Sequence, residues 1–295
     1  MIDGSRLPSP TLRDHPKFFI LGCVTNVLIV SFVLMSLYGG LWEFSTREYL
    51  RGFSDAIVPL GAPPAQQAQA ILSWMDSGPA RNAFPPSEDS RDRNPVNTLS
   101  YAGLLRVCGT ATNAFVNLAD ASGIEARRLL LLSATGNTNH VVAEVHIDGR
   151  WVVVDPSFRT ILKDASGNLL TKEQLADPNT FLTATRGIAH YDPRYAYTRT
   201  EHIHLTSIPV AGIFLQRALD SWLPHWDESI RWTLLVERQS YAVLAIGLLL
   251  LMLSLLWRRA LDFYGRKVLG VAPVHLRVQL KQGSLALLGR PLGHL

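Results

Sequence analysis

Two stretches of the chain carry no charge. Phe18 to Trp42 is an uncharged run of 25 residues, and Gln239 to Trp257 is one of 19. About 20 apolar residues in a helix cross the hydrocarbon core of a bilayer. The first run is too long for the apolar segment of a cleaved signal, and no A-x-A-like site follows it, so it reads as an uncleaved anchor. The second is apolar on every side, as a spanning helix is and an amphipathic core helix is not. Trp42 closes the first run, and Trp222, Trp226, Trp232 and Trp257 lie near the second, where interfacial tryptophans are expected.

Between these runs the pattern is mixed. "APPAQQAQAILSWMDSG" predicts a short helix stopped at Gly78-Pro79, and "PARNAFPPSEDSRDRNPVN" an exposed polar loop. From Leu99 the apolar spacing is helical, with Ala111, Phe115, Leu118 and Ala119 on one face and Gly123 as the stop. Arg127 to Ser133 reads as a buried strand. "HVVAEVHIDGRWVVVDPSF" predicts a hairpin turning at Asp148-Gly149, in which facing residue numbers sum to 297. Val141, Ala143, Val145, Ile147, Val152 and Val154 then form one apolar face, the expected core side. His140, Val142, Glu144, His146, Trp151, Val153, Asp155 and Ser157 share the other. A second hairpin is expected around Ala165 to Asn168, and a further strand within "YDPRYAYTRTEHIHLTSI". The fold class is α+β.

Charge orients this arrangement. Hydrophobic residues make up 47% of the chain and the formal net charge is +4. Residues 43–238 hold 18 Lys+Arg against 21 Asp+Glu, whereas the two flanks together hold 10 against 3. Positive flanks stay in the cytoplasm. The expected organisation is a cytoplasmic tail (1–17), a span (18–42), an extracytoplasmic domain (43–238, core about 99–210), a second span (239–257) and a basic cytoplasmic tail (258–295). The basic excess thus reflects topology. No basic stripe with interleaved aromatics marks a nucleic-acid partner.

Of the two cysteines, Cys23 lies in the first span, which leaves Cys108 as a lone thiol in the domain with no disulfide partner there. Cys108 falls where its helix should begin. Unpaired N–H groups there lower a thiol pKa, and an adjacent imidazole lowers it further. In the hairpin register His140 and Asp155 are diagonal neighbours on one face. A carboxylate on one ring nitrogen fixes the tautomer needed at the other. The Cys108 N–H is a candidate oxyanion donor. His146 shares the face, farther along, as a lesser candidate base, and Glu144 reads as a structural or rim residue. His202 and His204 alternate along a strand with no third ligand in evident spacing, so neither a metal nor a cofactor is implied.

Leu105 to Phe158 resembles the core of the transglutaminase-like superfamily, with its papain-like fold. The family pattern is a Cys heading a helix, a "G-I-x-A-R" segment, an "H-x-W-x-E-V" strand and "W-x-x-x-D-P". Here these read "VCGTA", "SGIEARR", "HVVAEV" and "DGRWVVVDPS", with Val142 where the family usually has Trp. The resemblance covers roughly a fifth of the chain. It implies Cys108 as nucleophile, His140 as general base and acid, and Asp155 as its orienter. It further implies a membrane-anchored, bacterial-type thiol enzyme of the inner membrane. Its substrate would be a peptide, protein or other amide or ester on the outer side. Hydrolysis is favoured over acyl transfer to an amine, and a non-catalytic scaffold that keeps the fold is the contrasting reading. The lipid bilayer is the other expected partner.

Overall fold

A computed structural model describes residues 15–77, 92–205, 211–223, 226–229 and 232–271. Gly78-Pro79, most of the polar loop after them and the chain beyond Val271 lie outside these residues. The chain opens with α1 (Pro16–Ile57), α2 (Pro64–Ser77), α3 (Pro95–Ser100), a 3-10 turn (Leu104–Arg106) and α4 (Cys108–Ala121). The sheet strands are β1 (Ala126–Leu132), β2 (Thr138–Ile147), β3 (Arg150–Asp155) and β4 (Thr160–Ile161). Then come α5 (Lys172–Leu175), α6 (Pro178–Thr185) and the last strand, β5 (Thr200–Glu201). Four helices complete it: α7 (Ala211–Trp222), α8 (Trp226–Ser229), α9 (Trp232–Glu237) and α10 (Gln239–Tyr264), the last running into a π turn (Gly265–Leu269).

Two of these helices, Pro16–Ile57 and Gln239–Leu269 with its π turn, are long and apolar enough to cross a membrane. Helix α1 does not break at Trp42. The residues after it continue the helix, with Glu43 paired to Arg47 (3.3 Å), Arg51 to Glu48 (3.4 Å), and Leu50 fully buried. Of the described residues, 15–40 and 243–271 group as one compact unit. Within it the helices meet at small residues. A Cβ on Gly39 would lie 2.8 Å from the Leu244 nitrogen, and one on Gly247 would lie 2.9 Å from the Ser36 hydroxyl. Trp257 is half-exposed. Trp226 and Trp232 are not free at an interface: their rings meet edge to face at 5.4 Å, and Trp226 is buried.

The second unit, residues 41–242, is α+β. Its sheet is antiparallel in the order β4-β3-β2-β1-β5. The hairpin register is the expected one, from Ile147 opposite Arg150 to Ala143 opposite Val154. Asp148 (φ 50°) and Gly149 (φ 76°) both take left-handed backbone, as a two-residue turn of this kind requires. The apolar face packs on α2 and α4 through Ile71, Leu72, Phe115 and Leu118. The opposite face is not open, contrary to the single-core expectation. Leu129, Leu131, Val142 and Val153 are covered by Leu162, Leu170, Leu175, Phe181 and Tyr197. Val142, Glu144, Val153 and Asp155 are all 0% exposed. Chain after the hairpin folds back as a second layer, α5 and α6 among it. A capping box at Thr171 and an Asp177 cap start these short helices.

Smaller expectations fare unevenly. The turn at Ala165 to Asn168 forms, closed by the Asp164 carboxylate on the Ser166 and Asn168 N–H groups (2.9 and 2.8 Å). The end of the polar loop is a helix, α3, because Asn94 caps it through Val96 N–H and Pro95 fits its first turn. The predicted strand around His202 shrinks to β5, paired with Leu130 and Leu131 of β1.

Candidate active site

Helix α4 places Cys108. Val107 just before it is extended (φ −90°, ψ 127°) and offers no side-chain cap, so the first N–H groups are left to other acceptors. The first ladder bond is Ala111 N–H to Val107 O, 2.8 Å. Thr110 donates its hydroxyl to Leu104 O and ties the preceding turn down. Thr112 donates to Val141 O (3.1 Å) and fixes α4 against β2. Cys108 is partly buried beside Leu130, Leu132 and Val141.

His140 and Asp155 meet as the hairpin register requires. His140 Nε2 lies 2.7 Å from Asp155 Oδ2, and the two residues are 2% and 0% exposed. The other Asp155 oxygen accepts from Ser157 N–H (3.1 Å), Ser157 Oγ (2.6 Å) and Phe158 N–H (3.4 Å). The carboxylate is thereby satisfied without water, and its orientation is set by its own turn. With Nε2 engaged, Nδ1 is the ring nitrogen left for the Cys108 thiol, whose titration His140 lowers.

The electrostatics follow. Burial pushes the Cys108 thiol up. The hydrogen bond and charge of His140, with N–H groups of Val141 and Gly109, outweigh that and hold it below its ordinary value. Burial likewise opposes a charge on His140, but bonds to Asp155 and Cys108 outweigh it and raise the imidazole from 6.5 to about 9. Both shifts favour the thiolate–imidazolium pair over the neutral one.

Aromatic residues that no motif pointed to surround the imidazole. Tyr195 stacks on it, with ring centroids 4.0 Å apart and planes 3° from parallel. Phe158 and Tyr191 meet it edge-on at 6.1 and 6.3 Å. Tyr191 and Tyr197 share a 3.3 Å hydroxyl contact, and burial keeps both phenols protonated. The Asn139 amide donates to Arg194 O (3.2 Å), tying the tyrosine segment to β2. The repeated tyrosine in "YDPRYAY" was the available signal, but its partner became identifiable only in three dimensions.

The remaining candidates lie elsewhere. His146 sits at the far end of β2 against Trp151 (5.2 Å) and Glu125 (3.7 Å), so it is no base for Cys108. Glu144 is a structural residue, buried between Arg127 Nε and His202 Nε2, each 2.8 Å away. His204 pairs with Glu201 (2.8 Å). Among the described residues no group of three acidic, His or Cys side chains is placed to hold a metal. A cavity of ≈ 90 Å³ bounded by Arg127, Trp151, His202, Asp227 and Trp232 includes none of the three candidate residues.

A further feature without a sequence signal lies on the other flank of α4. Glu237 is buried there between Arg93 (3.4 Å) and Arg128 (2.7 Å). Asn113 donates to its carboxylate (3.1 Å) and to its carbonyl (2.5 Å).

Residues 51–156 match the family model of the transglutaminase-like superfamily. The matched span contains Cys108, His140 and Asp155 and ends at Pro156. No curated protein and no solved structure matches the chain.

Proposed function

Because residues 51–156 are a transglutaminase-like superfamily domain, we propose that the chain is a membrane-anchored thiol enzyme acting on an amide or ester carbonyl. The observation that carries this reading is the His140 imidazole, bonded to a buried Asp155 and lowering the titration of a thiol at the start of a helix. The Cys108 thiolate attacks the carbonyl carbon, and the oxyanion formed faces the Cys108 N–H. The C–N or C–O bond then breaks as His140 gives its proton to the leaving group. Water, deprotonated by His140, adds to the thioacyl-enzyme, releases a carboxylic acid and restores the thiol. An amine in place of water gives transglutaminase-type transfer by the same steps. The charge asymmetry of the flanks supports an inner-membrane protein with an extracytoplasmic domain and both flanks in the cytoplasm.

The test is alkylation of Cys108 by iodoacetamide across pH, with mass spectrometry for an acyl adduct after incubation with periplasmic extract. Alkylation should begin well below the range of a free thiol of pKa about 8.5. It should move upward in His140→Ala, and an acyl adduct should be absent from Cys108→Ala. A thiol that titrates like free cysteine removes the enzyme reading and leaves a scaffold that keeps the fold.

A further inference from the structure

We propose that Arg93 and Arg128 form a carboxylate-recognition subsite beside Cys108, so that the acyl donor carries an acidic group next to the carbonyl attacked. The subsite presupposes Cys108 as the nucleophile. Its geometry starts at Gly109, the residue after the thiol. A Cβ there would lie 3.3 Å from Arg93 Nη2. Side chains on a helix lean toward its N-terminus, so this guanidinium lies along the first turn of α4, at the level of Cys108. The absence of a side chain at Gly109 is what admits it.

The guanidinium groups share their partner. Arg93 Nε and Arg128 Nη1 share one carboxylate, Glu237, at 3.4 and 2.7 Å. That carboxylate also accepts from Asn113. The adjacent Asp92 carboxylate accepts from Asn94 N–H (2.8 Å) and Asn97 Nδ2 (2.7 Å). Two guanidinium groups are thus ion-paired to the single carboxylate of Glu237. Both arginine side chains keep an open edge, 21% and 14% exposed. Arg93 Nη1 donates to Asp92 O (3.0 Å), while among the described residues the buried Arg128 Nε has no hydrogen-bond partner. Cys108 is among the groups whose charge acts on Arg128. Two part-desolvated guanidinium groups with unused donors match a carboxylate in charge and planar geometry.

Two guanidinium groups near Cys108 would have a second effect, since they would also stabilise the thiolate. Two alkylating agents separate the effects. Thiolate stabilisation alters iodoacetate and iodoacetamide rates together, whereas an anion subsite favours iodoacetate alone. In the full chain in detergent, the iodoacetate-to-iodoacetamide rate ratio at Cys108 should fall about three- to tenfold in Arg93→Gln or Arg128→Gln. Arg93→Lys should retain most of it, and high salt should bring the wild-type ratio toward that of the variants. In the unmodified chain, N-acetylglutamate should protect Cys108 from iodoacetamide better than N-acetylglutamine, a comparison that does not depend on any variant folding. An unchanged ratio in both glutamine variants, or equal protection by the two compounds, overturns the subsite while leaving the nucleophile intact. A Cys108 that iodoacetamide modifies only in the free-thiol range overturns both.

Discussion

His140 carries most of the consequences that a single side chain has here. Its raised value of about 9 means that the protonated form is favoured by folding. The stability it contributes is present in full below its unfolded value of about 6.5 and is lost as pH rises through about 9. The difference in denaturation midpoint between wild type and His140→Gln should therefore shrink above pH 9. Turnover should decline over the same range, because the leaving group loses its proton donor. Tyr195 acts on the same group. A π face against an imidazolium stabilises the charge, so Tyr195→Leu should lower the His140 titration by about half to one pH unit, while Tyr195→Phe should leave it in place. Identical behaviour of the two variants would remove that role. Asp155 shows where reading by faces fell short. The hairpin register, a local property of Asp148-Gly149, located the His140–Asp155 pair. The same alternation left that face outside the core, yet Asp155 is 0% exposed. Asp155→Asn should thus slow turnover about 10- to 10³-fold and also cost about 1–3 kcal/mol of stability, read from a melting curve.

Elements built by local rules were legible. Helix α4 has its apolar face at helical spacing and a glycine stop, and β2 and β3 have strict alternation around a turn of the required chemistry. Elements held by distant partners were not. The tyrosine segment has little regular structure, and its position is set by β2 and the second hydrophobic layer. The segment around His202 looks like a strand by composition, yet only Thr200 and Glu201 find an edge to pair with. The clearest such case is Arg238. It is 1% exposed and, from its place between α9 and α10, ties the interior of α1 to the last turns of α4, donating to Glu43 (3.0 Å) and to Asn117 (2.8 Å) and Asp120 (2.9 Å). Nothing in the sequence around it marks a buried arginine. Removing one partner of a buried pair strands the other charge. Arg238→Ala should destabilise residues 41–242 by about 3–5 kcal/mol, seen as a lower melting temperature in detergent.

At the scale of the whole molecule, residues 58–238 are flanked in sequence by two helices long and apolar enough to span a bilayer. If the basic flanks orient the chain, a reporter active only outside the cytoplasm should work when inserted at Pro86 and fail when fused after Lys267. The reverse would put the domain in the cytosol. The ion pair between Glu43 and Arg238, reinforced by Ser240 donating to Glu43 (2.8 Å), joins the point where the chain enters this domain to the point where it leaves. Entry and exit so close together make the domain a portable insert. Cut at these two points, it should be accepted in a surface loop of an unrelated host whose ends are only a salt bridge apart. Joined end to end by a short linker, it can be reopened elsewhere as a circular permutant.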